Sequence, residues 1–164
     1  MKKLILALAL VAVSTPVLAA EGGSSAKIGL GIDFAMPYLL DPVKARGAFN
    51  VGVDGRYMIT DNMNVGLRFA FDVEGAHEIW LQPGFQYHWM PGETWNPFVR
   101  LDLPVTVKEV KDVGIAAGAG LAWNMGSSMG VENLSLRYDF DFGYLFDTGA
   151  LYIEIFKIGV DYKF

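Results

Sequence analysis

Cysteine is absent from the chain, and histidine occurs only twice. Disulfides and cysteine-ligated metals are therefore excluded, and stability has to come from packing and hydrogen bonds alone. Long hydrophobic runs are missing as well. Beyond the N-terminus, the longest uncharged apolar stretch is Val113 to Trp123, eleven residues interrupted by Gly114, Gly118 and Gly120. A transmembrane helix needs about 20 apolar residues. No basic cluster exists either: 13 Lys+Arg stand against 18 Asp+Glu. Nucleic acid is therefore not an expected partner.

What the chain does have is apolar surface. It is 52% hydrophobic, with a mean hydropathy of +0.31. Without a membrane helix, a closed β-barrel is the remaining structure that satisfies every backbone hydrogen bond in lipid.

The first residues read as a cleaved signal peptide. Lys2 and Lys3 precede the apolar run Leu4 to Val13, Pro16 breaks it, and Val17-Leu18-Ala19 supplies small-residue cleavage chemistry. The expected division is a signal peptide over 1–19, a short segment over 20–25 and one domain over 26–164. Cleavage after Ala20 fits nearly as well as after Ala19. Losing Lys2 and Lys3 leaves 11 Lys+Arg against 18 Asp+Glu, a net charge of −7.

From Ile28 onward the dominant period is two. Residues 28, 30, 32, 34 and 36 are Ile, Leu, Ile, Phe and Met, with Gly29, Gly31, Asp33 and Ala35 between them. Seven further runs repeat the pattern up to Phe164, separated by turn chemistry such as Thr60-Asp61-Asn62 and Pro91-Gly92. In the last run Leu151, Ile153 and Ile155 keep one phase, whereas Phe156, Ile158, Val160, Tyr162 and Phe164 keep the other. A β-bulge near Ile155 would restore the register; otherwise the residues before 156 belong partly to a loop.

One face of these runs carries the large apolar side chains, and the other carries nearly every charge. Lys27, Arg56, Arg68, Arg100, Arg137, Lys157 and Lys163 face Asp33, Asp54, Asp72, Glu78, Asp102, Asp139, Asp141 and Asp161. A soluble barrel buries its apolar face. Here the near-balance of charge suits a sealed polar interior with the apolar face in lipid. The expected fold is all-β: an eight-stranded antiparallel up-and-down transmembrane β-barrel with a polar, charge-paired interior. The expected interior network comprises Asp54, Arg56, Arg68, Arg100, Asp102, Arg137, Asp139, Asp141 and Lys157. Asp54, Asp102 and Asp139 are the expected partners of the mid-strand arginines, and Leu136 is expected on the lipid face near mid-membrane.

The chain ends Lys157-Ile158-Gly159-Val160-Asp161-Tyr162-Lys163-Phe164. The polar Lys157, Gly159, aromatic Tyr162 and terminal Phe164 resemble the C-terminal assembly signal of Gram-negative outer-membrane barrels. With the strand pattern and the turn between Tyr57 and Phe69, the chain from about Ala26 resembles the small barrels of the OmpA and OmpX kind. It departs from them in having short loops and no appended peptidoglycan-binding domain. The resemblance implies residence in the cell outer membrane with both termini periplasmic. It also implies contact with outer-membrane lipid and lipopolysaccharide, delivery by the barrel-assembly machinery, and a monomer. Trp89, Trp95, Trp123, Tyr57, Tyr162 and Phe164 then fall at the periplasmic ends, and Tyr38, Phe71 and Tyr144 at the outer ends, as aromatic girdles do.

Some small barrels act on lipid A, and a catalytic site of that kind needs a histidine beside a nucleophile. His77 and His88 lie about 36 Å apart along one strand and cannot share a site. Serine occurs only at 14, 24, 25, 127, 128 and 135, away from His77. Thr106 and Thr148 are rim hydroxyls with nothing to place them near it. Asp139 and Asp141, spaced i, i+2, suit either a cation or pairing with Arg137, Arg100 or Lys157. Lys44, Arg46, Lys108 and Lys111 are loop cations suited to lipopolysaccharide phosphates or to simple solvation. No cofactor is implied. The reading is a non-enzymatic outer-membrane barrel with a structural or surface-interaction role. A narrow pore is the alternative, and a lipid A-modifying enzyme comes third.

Overall fold

The computed structural model describes residues 28–40, 45–74, 78–108, 111–131 and 133–164. The signal peptide, Lys27, Lys44 and His77 lie outside them.

Alternating side chains produce strands throughout. They are β1 (Ile28–Leu40), β2 (Ala45–Gly47), β3 (Phe49–Met58), β4 (Met63–Glu74), β5 (Ile79–His88), β6 (Trp95–Asp102), β7 (Val105–Thr106), β8 (Asp112–Asn124), β9 (Leu134–Leu145) and β10 (Leu151–Lys163). One helical turn, α1 (Gly126–Met129), joins β8 to β9. Every pairing is antiparallel, and β10 returns to pair with β1. Both β2 and β3 pair with β1, and together they make one stave. β6 and β7 make another, interrupted at Leu103-Pro104. Leu103 N–H still donates to Pro83 O (2.9 Å) and Gly114 N–H to Pro104 O (2.8 Å), so the ladder runs through the break. The result is a closed barrel of eight staves, as the sequence suggested. The sequence pattern puts the first loop at residues 37–46, starting at Pro37. Pro37 does not end the strand, however: it sits at a register shift opposite Glu154, where a proline is tolerated, and β1 continues to Leu40.

The faces divide by polarity. Among the described residues, 21 polar or charged side chains are buried against nine apolar ones, the reverse of a soluble domain. Outward Ile32, Val53, Leu67, Leu101, Phe140 and Ile158 are about half exposed. So continuous an apolar belt is compatible with lipid, not water. Aromatics gather at its ends. At the end holding the C-terminus, Trp95 and Trp123 stack with centroids 5.9 Å apart, and Tyr162 and Phe164 meet edge-on at 4.9 Å. At the other end, Tyr144 meets Phe146 at 6.0 Å. Leu136 departs from expectation. It is the third residue of β9 and lies directly across from Trp123, at the girdle and not mid-membrane.

The bulge is present in β10. Ala35 pairs with Lys157 and Pro37 with Glu154, and on the other side Asp139 pairs with Lys157 and Asp141 with Glu154. Ile155 and Phe156 both face outward, leaving Glu154 and Lys157 fully buried inside. A bulge frees a backbone carbonyl, and lipid offers it no donor. Tyr138, on the lipid side of β9, donates its hydroxyl to Ile155 O at 3.0 Å. Tyr138→Phe is therefore expected to destabilise the barrel by about 1–3 kcal/mol, the cost of an acceptor left without a partner. Urea unfolding in lipid vesicles measures this; no loss would show the carbonyl to be satisfied elsewhere.

Candidate functional site

Among the described residues, charged groups converge in the interior. Its members alternate along β1, β3, β4, β6, β9 and β10, because every second residue of a strand faces the lumen. Arg137 of β9 is its hub. Its guanidinium lies 3.0 Å from Asp54, 3.0 Å from Asp139, 3.5 Å from Asp33 and 3.6 Å from Asp161. Arg68 forks onto Asp33, with Nε at 2.9 Å and Nη2 at 2.5 Å. It also donates to Gln82 (2.7 Å) and Asn50 (2.9 Å) and reaches Glu154 at 3.6 Å. Arg100 holds Asp102 at 2.6 Å, Asp139 at 2.9 Å and Asp141 at 3.5 Å. Lys157 holds Asp141 at 2.8 Å, Glu154 at 3.3 Å and Asp139 at 3.7 Å. Arg56 bridges Asp54 (2.8 Å) and Asp161 (3.2 Å). These contacts join twelve side chains, five cationic and seven anionic, into one connected network.

All nine residues of the sequence-derived network belong to it. Their partners differ in one respect: Arg68 pairs with Asp33 and Glu154, whereas Asp54 goes to Arg137 and Arg56. Glu154 was missed altogether, together with Tyr152. Carrying the bulge through the phase would have revealed both, since the extra residue turns 152 and 154 inward. Asp139 and Asp141 are engaged by cations, as the pairing alternative has it.

Small residues on β8 and β5 make this crowding possible. A Cβ at Gly118 would collide with Asp141 Oδ1, and one at Gly84 with Asp102 Oδ1. The glycine-rich strand thus admits carboxylates from its neighbours and does not line an open channel.

The two halves of the lumen differ. Toward the end away from the C-terminus, Trp80 and Tyr152 stack with centroids 5.3 Å apart above Ala70 and Ala116, with Leu39 packed beside them. Trp80 Nε1 donates to Asp72 (3.2 Å), and Tyr152 donates its hydroxyl to Glu154 (2.8 Å) and accepts from Gln82 (3.1 Å). This layer closes that end. Toward the C-terminal end lie two cavities of about 20 Å³ each, sharing Asp54, Arg56 and Asn64. Each has room for about one water.

The remaining candidates have structural partners. Asp112 accepts bonds from the backbone N–H groups of Val113, Asp147 and Thr148 and from the Thr148 hydroxyl, at 2.7–2.9 Å. Thr106 accepts from Asp112 N–H at 3.1 Å. These contacts pin the loop between β9 and β10. His88 packs against Phe98 with the rings tilted and their centroids 5.2 Å apart, and its Nε2 lies 3.1 Å from Asn64. Ser135 lines the same cavity as His88, yet no hydrogen bond joins them, and an activated nucleophile needs one of about 2.6–3.2 Å. Among the described residues, no group of three or more His, Cys, Asp or Glu is arranged to hold a metal ion. No helix among them is long and apolar enough to cross a membrane. Tyr162 and Phe164 face outward, and Phe164 N–H donates to Ile28 O at 2.8 Å, while Gly159 and Lys157 face the lumen.

Over residues 5–164 the sequence matches the family described as the outer membrane protein beta-barrel domain. No curated protein matches it. Among solved structures, Neisserial surface protein A superposes with a TM-score of 0.65 at 13% identity, covering 87% of this chain and 100% of that one. The N-terminal β-barrel domain of Pseudomonas aeruginosa OprF gives 0.63 at 18% identity, with 86% and 100% covered. Ail, the attachment invasion locus protein of Yersinia pestis, in complex with the heparin analogue sucrose octasulfate, gives 0.57 at 12% identity, with 86% and 100% covered. At these identities the likeness is one of fold.

Proposed function

The chain belongs to the outer membrane protein beta-barrel domain family, and from that premise we propose a non-enzymatic outer-membrane barrel with a structural or surface-interaction role. The carrying observation is the lumen. One ion-pair network crosses it, joining Arg100 of β6 to Asp139 of β9 and Arg137 of β9 to Asp54 of β3, and the Trp80–Tyr152 layer caps it. Eight strands leave an interior just wide enough for side chains, and here side chains fill it. A plugged barrel offers its lipid face and its rims for work. The pinned loop at Asp112 supports a rim that presents a fixed surface. The Yersinia attachment protein, a barrel of similar fold, was solved in complex with a heparin analogue, which supports a surface-interaction role. In this reading both termini are periplasmic, the partners are outer-membrane lipid and lipopolysaccharide, and assembly machinery receives the C-terminal strand.

Conductance in planar bilayers tests the proposal. The purified protein is expected to give no steady current. A reproducible single-channel conductance would overturn the plug and promote the second reading, a narrow pore. The observation favouring that reading is the pair of adjoining cavities, which bring polar space from one end as far as Arg100.

A further inference from the structure

We propose that the barrel wall is built to part halfway along the seam between β5 and β6, so that the cavity behind it opens sideways into the bilayer. Backbone bonding is thin there. β5 pairs with β6 from Gly84↔Asp102 to His88↔Phe98, and with β7 at Trp80↔Thr106 and Leu81↔Val105. One register runs through both stretches, so the interval between them is not a bulge. It is a place where a donor is missing. Leu103 N–H donates to Pro83 O (2.9 Å), but Pro83 has no N–H to return. Trp89 N–H donates to Pro97 O (3.0 Å), and Pro97 returns nothing either. The carbonyls of Leu103 and Trp89 thus lose the donors that a regular antiparallel ladder supplies. Pro83 pairs on its other side with Leu67, at mid-membrane, where lipid offers no substitute.

Side chains do not make up the loss. Inside the barrel, Trp80 donates to Asp72, Gln82 bonds with Arg68 and Tyr152, and Gln86 accepts from Asn64. These bonds tie β5 to β4 and β10, away from β6. The ion-pair network passes β5 by, its members lying on β1, β3, β4, β6, β9 and β10. The seam is clasped at its ends instead. Lys108 N–H donates to the Glu78 carboxylate (2.6 Å) at one end, and His88 packs against Phe98 at the other.

Behind the bare stretch the wall is backed by space. Gly66 and Gly84 pair across β4 and β5 and both face the lumen, where they present no side chain. They line the cavity shared with Gln82, Gln86, Arg100 and Asp102, and Leu67, an outward residue, lines it too. A cavity, a glycine pair and a missing ladder bond therefore meet at one level of the wall. Moving β5 away from β6 at this level leaves the ion pairs intact and joins the cavity to the lipid. A barrel plugged from end to end thereby keeps a sideways exit for water and small polar groups. Such a slit carries no current from one side of the membrane to the other, so it stands apart from the question of conductance.

Hydrogen exchange of the folded barrel in lipid nanodiscs, read amide by amide by NMR, tests the slit. The amides of Phe85, Leu101 and Leu103 are expected to exchange about tenfold or more faster than those of Val53, Gly55 and Leu67, which lie on the β3–β4 seam at the same depth. The chain has no cysteine, so the double variant Phe85→Cys, Leu101→Cys places a single disulfide across the seam between residues that pair directly. Oxidising it is expected to slow Leu103 to the rate of the β3–β4 amides, and reducing it to restore the faster rate. Pro83→Ala, which returns an N–H to the ladder, should slow Leu103 as well. Should either variant fail to fold, the comparison of the two seams in the wild-type protein still decides. Equal protection on both seams overturns the slit. So does fast exchange that the closed disulfide leaves unchanged, since an opening elsewhere would then carry it.

Discussion

Replacing Arg137 with methionine is expected to cost the barrel about 3–5 kcal/mol, the usual penalty for removing one partner of a fully buried ion pair. The side chain is 1% exposed and touches four carboxylates, three on other strands and Asp139 on its own. Its loss leaves those carboxylates facing one another in a lumen already richer in acid than base. Arg137→Lys is expected to recover only part of the loss, because an ammonium lacks the planar fork that reaches several partners at once. Arg56→Met supplies the contrast. Arg56 contacts only Asp54 and Asp161 and has a side chain 10% exposed near the open end, so water there takes over part of its role. Urea unfolding of the three variants in vesicles measures the order. If Arg56→Met costs as much as Arg137→Met, Arg137 is not the hub.

The second large effect lies on the opposite face. Leu67→Arg is expected to destabilise by about 2–4 kcal/mol, the cost of an arginine facing the middle of the bilayer. Leu67 is the fifth of twelve residues in β4, points outward and is 47% exposed. Leu136→Arg is expected to cost only about 0–1 kcal/mol, because at the level of Trp123 the guanidinium reaches the headgroups. Equal costs at the two positions would contradict the level assigned to the tryptophan girdle. Tolerance at both would mean that the outward face does not meet lipid.

Leu136 also shows where the sequence stops being informative. Period-two alternation told inside from outside at almost every position, because that depends on parity alone. It did not tell height in the membrane, which depends on where each strand begins and how it is tilted. The same limit separates the network's membership from its pairings. That Arg68 and Asp54 both point inward follows from parity. That Arg68 reaches past Asp54 to Asp33 and Glu154 depends on cross-lumen distances, and no local pattern encodes those. The bulge was visible as a phase change at Ile155. Its consequence, Tyr152 closing over Trp80, was not, since the residues before the phase change read equally well as loop. Pro37 misled for a related reason: proline ordinarily ends a strand, and only the partner strand shows the irregularity that accommodates it.

The seam between β1 and β10 bears on how such a molecule comes into being. Asp33 on the first strand is neutralised by Arg68 of β4 and Arg137 of β9, and Asp141 of β9 by Lys157 of the last strand. No subset of strands is therefore electrically complete. A half-made sheet would hold these groups against hydrocarbon, and a one-residue slip at the seam would turn Lys157 and Asp161 outward. The earliest strand made must wait for the latest before either is stable, and such distant pairings form slowly. The same charges that hold the finished cylinder together are left unpaired wherever the cylinder is still open.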